Sequence, residues 1–142
     1  FIRIERKISY RWNTTGITIL GVTSMPGNGS ERLNSPRGIV FDPSDTLYVA
    51  DSGNHRIQKL DNSGPPAETA TRNSTNGPNS TQLRQPADVA VDSAQNMLIA
   101  DTMNYRIQYW ANGAYNGTTV GGTGRNFCLK ANVYLIMYFR KI

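Results

Sequence analysis

Short apolar runs bounded by turn-forming residues mark the middle of the chain. Residues 47–50 (LYVA) and 97–100 (MLIA) are the clearest of these runs, and each is four residues long. Runs of this length are too short for a helix and are typical of buried strands. Ser52–Asn54 and Thr102–Asn104 then reverse the chain, with an asparagine suited to a left-handed backbone. The pattern predicts short strands joined by tight turns.

The residues on either side of these runs predict two more strands in each set. Residues 38–42 and 88–92 are apolar runs that follow a proline and end on an aspartate. Arg56–Leu60 and Arg106–Trp110 alternate polar and apolar side chains, as expected for a strand with one wetter face.

A fourth strand is predicted less clearly. Residues 116–122 and 15–21 have similar composition, and both segments end on glycine. Residues 63–82 are rich in Asn, Ser, Thr, Pro and Gly, and we expect them to hold a poorly defined fourth strand and a long loop.

The two sets of strands belong to one sequence repeat with a period of fifty residues. Residues 36–60 and 86–110 align without a gap. The identical positions are Pro36/Pro86, Asp42/Asp92, Ala50/Ala100, Asp51/Asp101, Asn54/Asn104, Arg56/Arg106, Ile57/Ile107 and Gln58/Gln108. A repeat of this length indicates a solenoid or a propeller, and four antiparallel strands per repeat make one propeller blade.

The strings LYVADSGNHRIQKL and MLIADTMNYRIQYW, each preceded by Pro-x-x-Val/Ile-x-x-Asp, resemble the NHL repeat. The resemblance is strong over residues 36–60 and 86–110 and loose over 10–35 and 111–124. It implies a β-propeller, most often of six blades. Blades of this size need about 250–300 residues to close a ring. We therefore expect an all-β, partial β-propeller with two full blades, two partial ones, and further blades elsewhere in the same protein.

The repeat also divides the chain into four segments. Residues 1–35 are expected to be the tail of a preceding blade and a connecting loop. Residues 36–85 form an NHL-type blade with a long polar loop, and residues 86–124 form a second blade. Residues 125–142 match nothing upstream and are an atypical C-terminal segment.

Strand direction places candidate binding residues on one end of the blades. In a four-stranded antiparallel meander, the start of the first strand and the turn between the second and third strands lie at the same end. That end carries Arg37, His55, Asp88 and Tyr105, which are the candidate ligand-contacting residues because propellers bind through such loops. His55 and Tyr105 occupy equivalent positions and differ, so they are candidates for specificity.

The repeated polar residues favour a structural interpretation. A side chain present in both copies is better explained by blade construction than by one ligand. An aspartate can cap its own turn and pair with the arginine of the next strand. These repeated side chains are Asp51, Asn54, Arg56, Asp101, Asn104 and Arg106.

The charge distribution disfavours nucleic acid as a partner. The formal net charge is +5, but residues 36–110 carry six basic and eight acidic side chains. The positive charge therefore lies in the flanking segments, whereas a phosphate-binding surface needs lysine and arginine clustered on the folded face.

The chain offers little for catalysis. It has one histidine, His55, and one cysteine, Cys128, which give neither a nucleophile with a base nor a metal-ligand set. We therefore predict a non-catalytic interaction module for a protein or peptide partner, with no cofactor and no metal. The resemblance leaves two alternatives: a metal-dependent propeller lyase or hydrolase similar to the amidating lyases, and an RNA-binding NHL propeller.

Five N-x-S/T sequons fall in predicted loops, where a glycan could be attached. They are Asn13, Asn28, Asn73, Asn79 and Asn116. They favour an extracellular or luminal location only weakly, and the sequence leaves localisation otherwise open. Its longest C-terminal apolar stretch, residues 131–139, is well short of the about 20 residues that span a bilayer.

Overall fold

The computed structural model describes residues 16–71 and 73–122 of the chain. The first four strands are β1 (Pro36–Phe41), β2 (Leu47–Asp51), β3 (Arg56–Leu60) and β4 (Glu68–Thr69). The next four are β5 (Asp88–Val91), β6 (Met97–Asp101), β7 (Arg106–Trp110) and β8 (Thr118–Gly121). Each set forms an antiparallel sheet in sequential order, which we call the first and second blade. The predicted all-β fold of four-stranded blades is confirmed.

Several expectations fall on residues outside the described ranges. The atypical segment 125–142, which includes Cys128, lies outside them, and so does the sequon at Asn13. Within the described ranges, no helix has the length and apolar character needed to cross a membrane.

The central hairpins of the two blades have the same register. In the first blade Leu47 pairs with Leu60 and Asp51 with Arg56. In the second blade the equivalent pairs follow the same order. Both hairpins turn through a short 3₁₀ helix, Ser52–Asn54 or Thr102–Asn104.

The left-handed residue in these turns is not the one that the sequence predicts. His55 has φ 57° and ψ 35°, and Tyr105 has φ 54° and ψ 40°, so the residue after each asparagine holds the left-handed conformation. The asparagine is the last residue of the 3₁₀ turn and has a helical backbone. The residue after it therefore adopts the left-handed conformation that turns the chain into β3 or β7.

The fourth strands differ between the blades. β8 lies within the predicted range 116–122, whereas β4 has only two residues inside the range 63–82. The strand expected over residues 15–21 does not form in its described part, 16–21. A strand needs a hydrogen-bonded neighbour, and none of the described strands pairs with this segment. Instead, Leu20 packs with Leu33 against the first blade.

The main core lies between the two blades. One face of the first blade contributes Tyr48, Ala50 and Ile57 to it. The facing side of the second blade, with the loop residue Leu83, completes the cluster through Val89, Val91, Met97, Ile99 and Trp110. Full burial of an aliphatic or aromatic side chain stabilises a fold by about 1.5–3 kcal/mol, so this contact fixes the blades side by side.

The other face of the first blade exposes apolar side chains whose equivalents in the second blade are buried. Ile39 is 60% exposed and Phe41 is 54% exposed. Their equivalents in the repeat, Val89 and Val91, are 0% and 7% exposed because the first blade covers them. Ile39 and Phe41 thus occupy the positions of a blade-to-blade contact, and no described blade covers them.

The blades approach each other most closely at Gly38. Its backbone N–H donates a hydrogen bond to the carbonyl oxygen of Ala87 at 3.0 Å. A Cβ atom at position 38 would lie 2.7 Å from the Cα of Asp88. Only glycine allows this backbone-to-backbone contact.

Replacing Gly38 with alanine should therefore loosen the contact between the blades. We expect Gly38→Ala to lower the free energy of unfolding by about 1–3 kcal/mol, the usual cost of overpacking. The measurement is urea unfolding of the full chain followed by circular dichroism. Gly29→Ala is the control, because a Cβ at position 29 meets no atom within 4 Å. Equal unfolding midpoints for the two variants would contradict this account of the contact.

Candidate functional site

A buried ion pair closes the central hairpin of each blade. Arg56 Nε donates to Asp51 Oδ2 at 2.8 Å, and Arg106 Nε donates to Asp101 Oδ2 at 2.7 Å. Both aspartates are fully buried. The repeated asparagine adds a second donor, since Asn54 Nδ2 lies 2.8 Å from Asp51 Oδ2.

The same arginines bind the loop that leads into their blade. The two terminal guanidinium nitrogens of each arginine donate to three backbone carbonyl oxygens, which lie 28, 27 and 24 residues upstream. The carbonyls belong to Asn28, Gly29 and Arg32 for Arg56, at 2.8, 2.8 and 3.1 Å. They belong to Pro78, Asn79 and Gln82 for Arg106, at 2.6, 2.9 and 2.8 Å. We call each such arginine with its aspartate and three carbonyls an arginine clamp.

The aspartates complete the two arginine clamps from the other side. Asp51 Oδ1 accepts a hydrogen bond from the backbone N–H of Asn34 at 2.7 Å. Asp101 Oδ1 accepts one from the backbone N–H of Arg84 at 2.6 Å. The repeated side chains of the two hairpin turns are therefore engaged within their own blade and entry loop, which supports a structural interpretation of Asp51, Asn54, Arg56, Asp101, Asn104 and Arg106.

Three of the four candidate ligand-contacting residues lie near the junction of the blades. Arg37 is exposed and Asp88 is half-buried, and they flank the Gly38–Ala87 hydrogen bond. His55 is half-buried, and its Nδ1 accepts the backbone N–H of Gln85 at 3.2 Å. One nitrogen of the only histidine is thus used to hold the loop that enters the second blade.

Tyr105 lies apart from those three, on the turn of the second blade. It borders a groove of about 530 Å³ that is also lined by Arg84, Met103 and Thr119. Arg84 and Met103 are not among the candidate residues that the sequence predicts. The feature that would have found them is the difference between the copies, because their equivalents are Asn34 and Gly53.

A second polar cluster lies at the opposite end of the blades, which we call the opposite face. Asp42 accepts the backbone N–H groups of Ser44 and Thr46 at 2.8 and 2.9 Å. Gln95 of the second blade donates to Asp42 Oδ2 at 2.9 Å. Lys59 Nζ lies 5.9 Å from the centre of the Tyr48 ring. These residues connect the two blades below their apolar core.

The environment shifts the acidities of two groups in this cluster. Burial raises the pKa of the Asp42 carboxyl, but hydrogen bonds from Thr46, Ser44 and Gln95 outweigh burial and lower that pKa below its usual value. Burial raises the pKa of the Tyr48 hydroxyl to about 12, helped by the neighbouring Asp42 charge.

The described residues offer few donors for a metal. Within 16–71 and 73–122, no three His, Cys, Asp or Glu side chains lie close enough together to hold a metal ion.

Of the sequons in those ranges, Asn28, Asn79 and Asn116 are exposed. Asn73 is half-buried, and its Oδ1 accepts hydrogen bonds from the backbone N–H and the hydroxyl of Thr75.

A known family model matches the first three strands of the first blade. Residues 33–60 match the family model of the NHL repeat, which confirms the resemblance seen in the first window. No curated protein matches the chain. The NHL repeat is a β-propeller-type module commonly used in protein interaction.

Removing one arginine should show what an arginine clamp contributes to stability. We expect Arg106→Met to lower the free energy of unfolding by about 3–5 kcal/mol, because it leaves Asp101 charged, buried and without its cation. Urea unfolding measures the loss. The control is Arg32→Met, which removes an exposed guanidinium with the same change in net charge. If both variants unfold at the same urea concentration, the clamp is not a stabilising element.

Asp42 should contribute a pH-dependent part of the stability. The pKa of Asp42 is lower in the folded chain than in the unfolded chain. Its contribution to the free energy of unfolding is therefore fully present above pH values of about 4, the pKa in the unfolded chain, and is lost as the pH falls through the folded pKa. Asp42→Asn should be less stable at neutral pH and should lose less stability on acidification. Thermal unfolding between pH 6 and pH 2 tests this, with Asp45→Asn in the same turn as the control. If Asp42→Asn and the original chain lost the same amount of thermal stability between pH 6 and pH 2, this account of Asp42 would be contradicted.

Proposed function

We propose that the chain is part of an NHL-repeat propeller that acts as a non-catalytic interaction module for protein or peptide partners. The observation that carries this proposal is that shared and variable positions of the repeat have different structural roles. The shared aspartate and arginine of each hairpin turn are engaged in the arginine clamps, whereas several positions that differ between the blades are exposed on turns and loops. Shared positions build the scaffold, which leaves the variable ones available for recognition.

The proposal includes further blades of the same protein. Ile39 and Phe41 expose apolar surface at the positions where Val89 and Val91 contact the first blade. Contiguous exposed apolar side chains of this kind mark interaction sites. A neighbouring blade is the occupant that we infer, with residues 36–85 and 86–124 as two units of the ring and residues 1–35 as the connection from a preceding one.

The binding surface that we propose is the end of the blades that carries both 3₁₀ turns, which we call the loop face. Arg37, His55, Asp88 and Tyr105 lie there, and the strands beneath are committed to packing. Side-chain rings and guanidinium groups on such a rigid support suit a peptide or protein partner, since tyrosine and arginine are enriched at the energetic centres of interfaces.

A display selection tests this function. A library of random twelve-residue peptides is selected against the full chain, and the enriched peptides are measured by isothermal titration. We expect the double variant Arg37→Ala/Tyr105→Ala to bind them at least about tenfold more weakly, which corresponds to 1.4 kcal/mol. Asp61→Ala on the opposite face is the control, because its side chain is exposed and remote from the loop face.

Two results would contradict the proposed function. One is a selection that enriches no binding peptide. The other is an enriched peptide whose affinity is the same for the double variant and for Asp61→Ala, because the loop face would then have no part in binding.

A further inference from the structure

The differences between the two blades gather around one groove on the loop face. Its lining includes Arg84, Met103 and Tyr105. The equivalent residues of the first blade are Asn34, Gly53 and His55. All three positions change, and they change from two small residues and a histidine to three long or aromatic side chains. We call this site the Arg84 groove.

The first blade uses its three equivalents for packing. Gly53 donates its backbone N–H to the carbonyl oxygen of Asn34 at 2.8 Å, and a Cβ at Gly53 would meet the Asn34 side chain at 2.6 Å. His55 accepts the backbone N–H of Gln85. These side chains have the size and polarity that the local contacts need.

The second blade keeps the backbone and changes only the side chains. Met103 donates its backbone N–H to the carbonyl oxygen of Arg84 at 3.0 Å, which reproduces the Gly53–Asn34 contact. Tyr105 keeps the left-handed conformation of His55, although asparagine or glycine would adopt it with less strain. The backbone geometry of the turn therefore does not require a methionine at position 103 or a tyrosine at position 105.

The three side chains are available to a ligand. Met103 is 41% exposed, Tyr105 is 44% exposed, and Arg84 is exposed. The ion pairs formed within the described residues involve only Arg56 and Arg106, so the Arg84 guanidinium has no carboxylate partner there. Arginine, tyrosine and methionine are the side chains enriched at protein interfaces, and all three meet in this groove.

Charge is segregated between the two ends of the blades. The opposite face exposes Asp45, Asp61 and Glu68, with the half-buried Lys59 as its one described cation. The loop face exposes Arg32, Arg37 and Arg84, beside the exposed Glu31 and the half-buried Asp88, so three cations face two carboxylates there. A ligand that carries carboxylates is attracted to the loop face and repelled from the opposite face.

We propose that the Arg84 groove binds an acidic peptide segment that contains an apolar side chain. The carboxylate pairs with the Arg84 guanidinium in a bidentate hydrogen bond, and the apolar side chain packs between Met103 and Tyr105. This inference rests on the proposed function and adds the chemical class of the partner and the subsite that selects it. RNA fits less well, because a phosphate backbone needs several adjacent cations and the groove exposes one unpaired guanidinium.

The experiment uses the full chain and a fluorescein-labelled peptide, Asp-Glu-Leu-Phe-Asp-Glu, in a fluorescence anisotropy titration. Arg84→Asn and Tyr105→His are the informative variants, because each installs the residue that the first blade already accommodates at that position. We expect Arg84→Asn to weaken binding at least tenfold and Tyr105→His to weaken it about threefold, since a partly exposed aromatic contact contributes less. A peptide with lysine in place of each acidic residue should not bind.

The matched control is Arg32→Gln, which also installs the equivalent residue of the other blade. It removes one exposed positive charge outside the groove, so it should leave the affinity unchanged. Equal losses for Arg32→Gln and Arg84→Asn would overturn the proposal, because binding would then depend on net charge alone. Tighter binding of a fluorescein-labelled single-stranded uridine oligonucleotide than of the acidic peptide would also overturn it.

The display selection separates this proposal from the proposed function. Peptides that bind through the loop face but lack acidic residues and do not respond to Arg84→Asn would overturn the Arg84 groove and leave the interaction module standing. A chain that binds no peptide at all would overturn both.

Discussion

The buried pair of an aspartate and an arginine is the interaction on which each blade depends. Removing such charges from water costs several kcal/mol per ion, and the cost is offset only when every donor and acceptor finds a partner. In the second blade Arg106 satisfies its nitrogens with Asp101 and three carbonyls. Asp101 in turn accepts from Arg106, Asn104 and the Arg84 backbone. One pair thereby joins the hairpin turn, the third strand and the entry loop.

This arrangement explains why a polar loop can be fixed without an apolar core of its own. Residues 77–82 are Gly, Pro, Asn, Ser, Thr and Gln, so burial of apolar side chains cannot order them. Their backbone carbonyls serve instead as acceptors for Arg106. The loop then delivers Leu83 into the core between the blades, where it is almost fully buried. The polar clamp and the apolar core thus support each other through adjacent residues of one segment.

The sequence predicts the parts of this structure that depend on side-chain identity. The apolar runs predict β2 and β6, and the repeated Asp and Arg predict a pair at the hairpin turn. The sequence does not predict the clamped loops, because carbonyl oxygens are present at every residue and leave no pattern. It also places the left-handed residue one position too early, since the 3₁₀ turn forces Tyr105 into that conformation against a cost of about 1–2 kcal/mol. The Arg84 groove becomes visible only when mismatched positions are placed side by side in three dimensions.

Identical residues in the two blades do not always have identical contacts, and the difference lies at the outer strand. The Oε1 of Gln58 accepts the hydroxyl of Thr69 on β4 at 3.2 Å. The equivalent Gln108 is fully buried, yet its side chain has no hydrogen-bond partner among the described residues. The carbonyl oxygen of Ser80, whose counterpart Ser30 lies near the Gln58 amide, instead accepts the backbone N–H of Gly117 at 2.8 Å. β8 is also longer than β4 and shifts its register between Ile107 and Gln108. The central hairpin, whose register is the same in both blades, and the arginine clamp are therefore the constant part of the repeat. The outer strand differs between the blades in length and pairing, and the sequence repeat is also weakest where the fourth strand begins.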